Sequence, residues 1–428
     1  MQALALKSFI EYDESHHFPL ENIPFGCYKS ASGKVHCCTR IGDKIIDLAE
    51  IFSHFDGPLF KTLTENIFDK DTLNDFAALG KGHRVEARET IQKLFSEANA
   101  ANKDTFAAAV LDVAGCEMTM PVFVRDYTDF YSSYNHAYNI GFMIRGKDNA
   151  IQPNWTRLPV GYHGRASSIV LDGTPIIRPK GQTKPPEGEK DPVWTACKLM
   201  DFELEMGTVI GTGNKLGQPV KVANAKDHIF GHCMFNDWSA RDIQTWEYVP
   251  LGPFTAKNFA STISPWIITP EALAPFEVKL DEQKPDLLPY LKDPNLSSYD
   301  VQLQVALKTA KMGDGEWHVL SNSNMKHLYY SVAQTIAHHT VTGCNLNPGD
   351  MMATGTISGP EKSGYGSMME LSWRGSEPIQ LPNGEERKFL QDGDEVNLTG
   401  VCKGNGYTIG FGDCRGKIMP ALDDSNYF

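Results

Sequence analysis

The stretch "DFELEMG" at residues 201–207 sets Glu203 and Glu205 two positions apart inside an otherwise apolar run. In a strand, successive side chains point to opposite faces, so both glutamates share one face while Phe202, Leu204 and Met206 share the other. The apolar face is committed to a core. The acidic face has two readings: it is washed by water, or something positive sits on it. Any fold this chain adopts has to supply one or the other.

The rest of the chain limits what such a fold can serve. A chain of 428 residues, 41% of them hydrophobic, can bury a large core and is long enough for one large unit plus a smaller one. A formal net charge of -13, with no run of Lys or Arg, argues against a nucleic-acid coat or an anionic membrane surface as partner, since both need a basic footprint. No stretch approaches the ~20 apolar residues of a membrane helix. The first residues lack the basic start, apolar run and small-residue cleavage site of a secretory signal. The expectation is a soluble cytosolic protein. Nine cysteines, an odd number with no C-x-x-C pair, suit a reducing compartment, and the adjacent Cys37 and Cys38 cannot both face one metal from a regular element. "NWT" at Asn154 and "NLT" at Asn397 match the glycosylation pattern and are read as chance matches.

Along the chain, short strand-like pieces such as "KVHCCTRIGDKIIDL" precede an amphipathic helix at "VEARETIQKLFSEANA", with Val85, Ile91, Leu94, Phe95 and Ala98 on one stripe. A small polar stretch follows, and a domain boundary is placed after residue 121, giving units 1–121 and 122–428. Beyond it the sequence is strand-rich and punctuated by glycine. The Pro-rich stretches 175–192 and 269–294 read as loops or covering arms. "NMKHLYYSVAQTIAHHTV" predicts a helix with Leu328, Val332 and Ile336 buried; His338 and His339, being adjacent on it, face different ways and do not form a metal pair.

Several familiar machines are missing. "GTGNKLG" at 211–217 lacks the lysine and hydroxyl ending of a phosphate loop and reads as a hairpin turn, and neither G-x-S-x-G nor H-E-x-x-H occurs. Three other islands stand out. In "FNDWSARDIQTWEYVPLGPF", a helix over 237–248 aligns Asp237, Arg241, Gln244 and Tyr248 on one stripe, either as an internal ion-pair seam or as a ligand site. In "DYTDFYSSYNHAYNIGFMIRG", Asp129 and Tyr131 have strand spacing, Ser132 or Ser133 can cap a short helix that presents His136, and Arg145 follows near the next turn. In "MATGTISGPEKSGYGSMMELSW", a Gly-rich loop ends in a strand where Glu370, between Met369 and Leu371, needs a partner such as a histidine.

Asp129, Glu203, Glu205 and Asp237 together would give oxygen-only ligation, suited to a hard divalent cation rather than zinc or copper. Four carboxylates exceed what one such ion cancels, so Arg241 or Lys257 would balance the remainder. Calcium, with its flexible shell of ~6 to 8 oxygens, is the first choice, with Mg2+ or Mn2+ as substitutes.

Taken in order, "DYTDFYSS", "PNWTRLPVGYHGRASSIV", "DFELEMG", "NDWSARDIQTWEYVPLGPF", "TISPW", "ATGTISG" and "GSMMELSW" resemble the fumarylacetoacetase family over nearly the whole chain. The resemblance implies a mainly β fold with some α, an SH3-like barrel domain over 1–121 and a large β-rich mixed-sheet roll over 122–428, assembled as a homodimer in the cytosol. It implies hydrolysis of the C–C bond of 4-fumarylacetoacetate to fumarate and acetoacetate, the last step of tyrosine and phenylalanine catabolism. It puts Ca2+ on Asp129, Glu203, Glu205 and Asp237, and a structural Mg2+ on Lys257 and Ser261 with Asp237 shared. It makes His136 the general base, held by Glu370, and sets Arg241, Gln244 and Lys257 around the developing charge. Tyr131, Arg145, Tyr162, Tyr248 and Thr356 would contact substrate.

Two departures from the family pattern are visible: Ser261 stands where the animal sequences have threonine, and Tyr134 and Asn135 replace a more polar pair before the base. Rival readings are an acylpyruvate hydrolase or a decarboxylase/hydratase of the same superfamily, and a non-catalytic calcium-binding protein. The first two use a similar acidic set; the third leaves His136, Glu370 and the three donors without a role.

Overall fold

The computed structural model describes residues 5–428. The chain is mainly β with some helix. Its first part forms a five-stranded antiparallel sheet from Phe25–Lys29, Val35–Ile41, Lys44–Asp47, Val110–Asp112 and Glu117–Thr119. Alternation builds it: Cys27, Cys37, Ile41, Ile46 and Leu48 point into one core, which aromatic residues such as Phe25, Phe68 and Phe76 fill. The predicted helix is present as Lys81–Phe95, burying Ala87, Ile91 and Phe95, while Val85 and Leu94 are half-buried. Ala98 falls outside it, in a 3-10 stretch Glu97–Ala109. Its buried arginines tie it down, Arg84 to both oxygens of Glu271 and Arg88 to the carbonyls of Glu21, Asn22 and Ile23.

A seven-stranded mixed sheet positions the functional residues. Its order across the sheet is Gly161–His163, Tyr127–Phe130, Met351–Ala353, Leu204–Ile210, Ile229–Asp237, Ser261–Ile263 and Ile169–Leu171. Register decides which side chains share a face. Asp129 pairs with Ala353, Ala353 with Gly207, Glu205 with Phe235 and Asp237 with Ser261. With a side-chain period of two, Asp129, Glu205, Asp237 and Ser261 therefore lie on one face near one end of the sheet. On that same face, Val209, Phe235 and Ala353 join the core of the N-terminal sheet. The opposite face, with Leu204, Met206 and Met234, packs into a second core. That core is shared with a six-stranded sheet built from His318–Asn324, Gln302–Lys308, Glu395–Lys403, Cys414–Met419 and Ile176–Ile177, with Thr408–Gly410 attached to Glu395–Lys403.

The structure corrects four local expectations. The helix predicted over 237–248 is two elements: Asp237 ends the strand Ile229–Asp237, and the helix runs only Arg241–Glu247. Strand pairing with Ser261 on one side and Leu204–Ile210 on the other wins over the helical spacing. Glu370 lies not on a strand but in the one-turn helix Met368–Leu371, capped by Ser367. The helix at "NMKHLYYSVAQTIAHHTV" starts at Val332, because Ser331 and Gln334 close a reciprocal capping box there and Leu328 is left in the approach. Ser133 is the N-cap of Tyr134–Arg145 without capping through its side chain; its hydroxyl bonds Ser358 instead.

The first Pro-rich stretch folds as a hairpin, Lys180–Thr183 paired with Val193–Ala196. It lies against the helix Arg241–Glu247 so closely that a Cβ on Gly181 would stand 2.9 Å from the Ile243 side chain. Any larger residue there would have to push the Ile243 side-chain tip aside.

Candidate active site

The acidic face of "DFELEMG" is not washed by water: Glu203 is 5% exposed and Glu205 0%. One oxygen from each of Asp129, Glu203, Glu205 and Asp237 lies within 4.8 Å of all the others. Three of the four arrive by strand register; Glu203, just ahead of its strand, is held by bridge pairing to Ser367. The positive groups are also present. Arg241 Nη1 lies 2.8 Å from Glu203, and Lys257 Nζ contacts Glu203 and stands 2.9 Å from Asp237. Tyr162 donates to Asp237 at 3.1 Å and Ser261 donates to it at 2.8 Å.

The electrostatics of this cluster are uneven. Burial, and then the charge of Asp237, push the Asp129 carboxyl well above the usual range; burial, and then Asp129 and Glu203, do the same to Glu205. Burial also raises Asp237, although Lys257 opposes it. For Glu203, burial is outweighed by Lys257 and Arg241, which bring it down to about 2. The two bases thus satisfy one side of the quartet, while on the other Asp129 and Glu205 can ionise only against burial and their acidic neighbours. Asp129 Oδ1 and Glu205 Oε1 are buried with no partner other than a neighbouring carboxyl. A buried polar atom without a partner is costly. A divalent cation among these oxygens would remove that cost and favour their ionised form, so the donor set fits a hard metal ion.

The histidine sits beside this cluster. His136, on the first turn of Tyr134–Arg145, is buried and places Nδ1 2.7 Å from Glu370 Oε2. Glu370 also accepts from Asn139 Nδ2, Ser358 Oγ and Ser367 Oγ, each at 2.9 Å. Burial opposes its charge, but His136 and these donors hold its carboxyl below the usual range. An ionised Glu370 can only accept, so Nδ1 carries a proton, and Nε2 is the ring nitrogen left to act as acceptor in the neutral ring. Tyr131 stacks edge-on against the ring, with centroids 5.4 Å apart.

A cavity of about 810 Å³ joins these groups. Asp129, Glu203, His136, Arg241, Gln244 and Lys257 line it, together with Tyr131, Arg145, Tyr162, Tyr248 and Thr356. Glu205, Asp237, Ser261 and Glu370 stand behind this lining, joined to it through Asp129, Lys257 and His136. Arg241 is fixed by Asp201, whose Oδ2 accepts from Nε at 2.8 Å, and Asp201 is fixed in turn by the amides of Met368 and Met369. Arg241 Nη2 and Thr356 Oγ1 are buried without partners, which leaves one donor and one hydroxyl free for a ligand.

Sequence reasoning missed Asp201, Asn139, Ser358 and Ser367. Asn139 lies three residues beyond His136 on one helix, a spacing that puts both on the same face, so it was findable. Asp201 opens the very stretch that drew attention to Glu203, but nothing local marks it as the partner of an arginine 40 residues on.

Comparison with known proteins gives this geometry its family. Residues 127–419 match the family model described as fumarylacetoacetate (FAA) hydrolase C-terminal, and residues 21–121 match fumarylacetoacetase N-terminal. The fumarylacetoacetase of Dictyostelium discoideum is 51% identical over 97% of this chain and 98% of its own length. That of Homo sapiens is 49% identical over 97% and 99%. The chain belongs to the fumarylacetoacetase family. A solved fumarylacetoacetate hydrolase from Exiguobacterium antarcticum shares the fold at 16% identity, with a TM-score of 0.52 over 93% of this chain and 99% of that one.

Proposed function

We propose that the cavity is the active site for hydrolysis of the C–C bond of 4-fumarylacetoacetate, yielding fumarate and acetoacetate. The chain is a hydrolase acting on carbon–carbon bonds, as its nearly full-length relatives named fumarylacetoacetase are. The observation that carries the site assignment is the convergence in one cavity of an over-charged acid quartet with unpartnered oxygens and a histidine whose Nδ1 is locked onto Glu370.

The residues then divide the work. His136 Nε2 takes a proton from water, and Glu370 stabilises the imidazolium that forms. The resulting hydroxide adds to a ketone carbon. Arg241, Gln244 and Lys257 donate to the alkoxide, each well-placed donor in a dry site being worth about 3 kcal/mol. Collapse of the alkoxide breaks the C–C bond, the electron pair leaves as the enolate of acetoacetate, and the imidazolium returns its proton to carbon. Asp129, Glu203, Glu205 and Asp237 would hold Ca2+, which when bound supplies chelation of the 1,3-diketone and polarisation of its carbonyl. Tyr131, Arg145, Tyr162, Tyr248 and Thr356 would orient the substrate. A second cation, Mg2+, would use Ser261 and Asp237 with Lys257. The Lys257 ammonium offers only donors and is engaged by two carboxylates, so its contribution would be the carbonyl oxygen.

We read residues 1–121 as an SH3-like domain, 122–428 as the catalytic domain, and the working protein as a cytosolic homodimer. No helix among the described residues is long and apolar enough to cross a membrane. All nine cysteines are free, as a reducing compartment would keep them. The dimer follows from the family resemblance, and light scattering tests it.

The test of the reaction is loss of the diketone ultraviolet absorbance of fumarylacetoacetate, run beside acetylpyruvate, before and after metal removal. Metal-dependent turnover favouring fumarylacetoacetate is expected. Preference for acetylpyruvate would move the protein to the acylpyruvate branch, and no turnover of either with metal bound would leave a calcium-binding protein.

A further inference from the structure

We infer that Arg374 and Lys184 form a cationic rim at the cavity mouth that receives the terminal carboxylate of the fumaryl arm, an inference that rests on the reading of this cavity as the fumarylacetoacetate site. The lining is polarised by depth. Asp129, Glu203, His136, Arg241 and Lys257 are buried, whereas Arg145, Lys184 and Arg374 line the same cavity from its exposed side. The buried bases are already engaged by carboxylates. Lys184 and Arg374 are not: among the described residues neither pairs with a carboxylate, although Lys180 on the same hairpin pairs with Asp424. Arg145 is partly spent, its Nε and Nη2 donating to the carbonyls of Asn149 and Ala150.

The two bases come to the cavity from different elements. Lys184 follows the strand Lys180–Thr183, in the hairpin laid on the helix that carries Arg241 and Gln244. Arg374 follows the helix Met368–Leu371 that carries Glu370, and its guanidinium touches the Met143 carbonyl near the end of the His136 helix. Its backbone is unusual. Trp373 and Arg374 sit at φ 45 and 58, in the left-handed region that disfavours residues with a Cβ. Bonds from Arg374 N to Met369 O and from Trp373 N to Glu370 O hold them there. Glycine takes such φ values without strain, as Gly375 does next in the chain with φ 83. A strained arginine in its place keeps a guanidinium at the mouth, and local strain of this kind clusters at ligand sites.

The substrate has the matching shape. Both of its ends are carboxylates, flanking the diketone that belongs at the buried acids. The fumaryl carboxyl carbon stands one bond farther from the diketone than its counterpart, and the trans double bond holds it extended. The rigid, longer arm is the one that reaches an outer rim.

The experiment measures KM and kcat of the metal-loaded enzyme on three substrates: fumarylacetoacetate, fumarylacetone, which lacks the acetoacetate carboxylate, and 3,5-dioxohexanoate, which lacks the fumaryl one. Lys184→Gln and Arg374→Gln are each expected to raise KM about tenfold on the first two with kcat little changed, as loss of a charge-assisted hydrogen bond does. On 3,5-dioxohexanoate, read as KM or as its inhibition constant, they are expected to change nothing. Arg374→Lys should recover part of the loss. Arg374→Gly relieves the left-handed strain and keeps the fold, and should lose as much as Arg374→Gln. An equal loss on all three substrates, a loss on 3,5-dioxohexanoate, or an unchanged KM in Arg374→Gly would overturn the rim. Failure of the wild-type protein to turn over fumarylacetoacetate would instead strike the reading of the cavity itself.

Discussion

Asp47 and Glu205 are both buried carboxylates on strands, yet one is saturated with hydrogen bonds and the other starved of them. Asp47, closing the strand Lys44–Asp47, accepts from Tyr28 at 2.7 Å and from His36 Nδ1 at 2.6 Å on one oxygen. Its other oxygen accepts the amides of Ala49 and Glu50 at 2.9 and 3.3 Å. Outside the acid quartet Glu205 has a single donor, the Gly355 amide at 2.9 Å, and it faces three other acids. Burial penalises both charges. The N-terminal sheet offsets that cost with its own donors, whereas the cavity floor leaves it standing. A saturated buried acid holds a fold together; a starved one among like charges is a place built for something that arrives later.

This contrast can be broken by experiment, and the largest effects belong to activity. His136→Ala should lower kcat by about 10²- to 10⁴-fold, the usual worth of a general base, while calcium uptake measured by calorimetry stays intact. Glu203→Gln should lose both, because it removes a charged oxygen from the quartet and the partner of Lys257 and Arg241; unchanged calcium affinity would refute the ligand role. Next come stabilities of opposite sign. Asp47→Ala should cost about 3 kcal/mol in denaturant unfolding, since it strands His36 and Tyr28, with kcat per folded molecule unchanged. Glu205→Gln in chelator-treated protein should cost nothing or stabilise, because burial already disfavours the charge it removes. If Glu205→Gln destabilises the metal-free protein as Asp47→Ala does, the distinction fails.

Metal itself supplies the next effect. Calcium at 100 times its Kd should stabilise the wild type by about 2.7 kcal/mol and Glu205→Gln by much less, read as a shift of the thermal midpoint. The smallest effect tests an intermediate case. Asp350 accepts the Asn347 amide at 2.7 Å on one oxygen and has no partner on the other, and burial pushes its carboxyl up to about 6. A carboxyl raised in the folded state binds its proton more tightly there than when unfolded, so stability falls as pH rises from about 4 through about 6. Asp350→Asn should remove that fall, raising the thermal midpoint above pH 6 and leaving it unchanged below pH 4. A pH-independent difference would refute the assignment.

Much of this was legible in local spacing. Glu203 and Glu205 announced a shared environment through their i, i+2 pattern, and the oxygen-only set of four acids pointed to a hard cation. The helix Lys81–Phe95 followed from its apolar stripe. What misled was also local: Asp237 and Arg241 have perfect helical spacing, but strand pairing claims Asp237 and the helix begins after it. Glu370 looked like a strand residue among methionines and leucine until Ser367 capped a turn beneath it.

The sequence by itself determined the residue types of the site, the hardness of the metal they suit, and the family whose ordered strings they match. Tertiary structure alone decided which oxygens lack a donor and which bases already face a carboxylate. His136 meets Glu370 across 234 positions and Ser133 meets Ser358 across 225. Those meetings depend on strand register and on how helices seat on the sheet, which follow from the packing of the whole core. The same packing turns four ordinary acids into a strained cluster. Periodicity reports which way a side chain points from its own backbone, and nothing in it records what stands opposite.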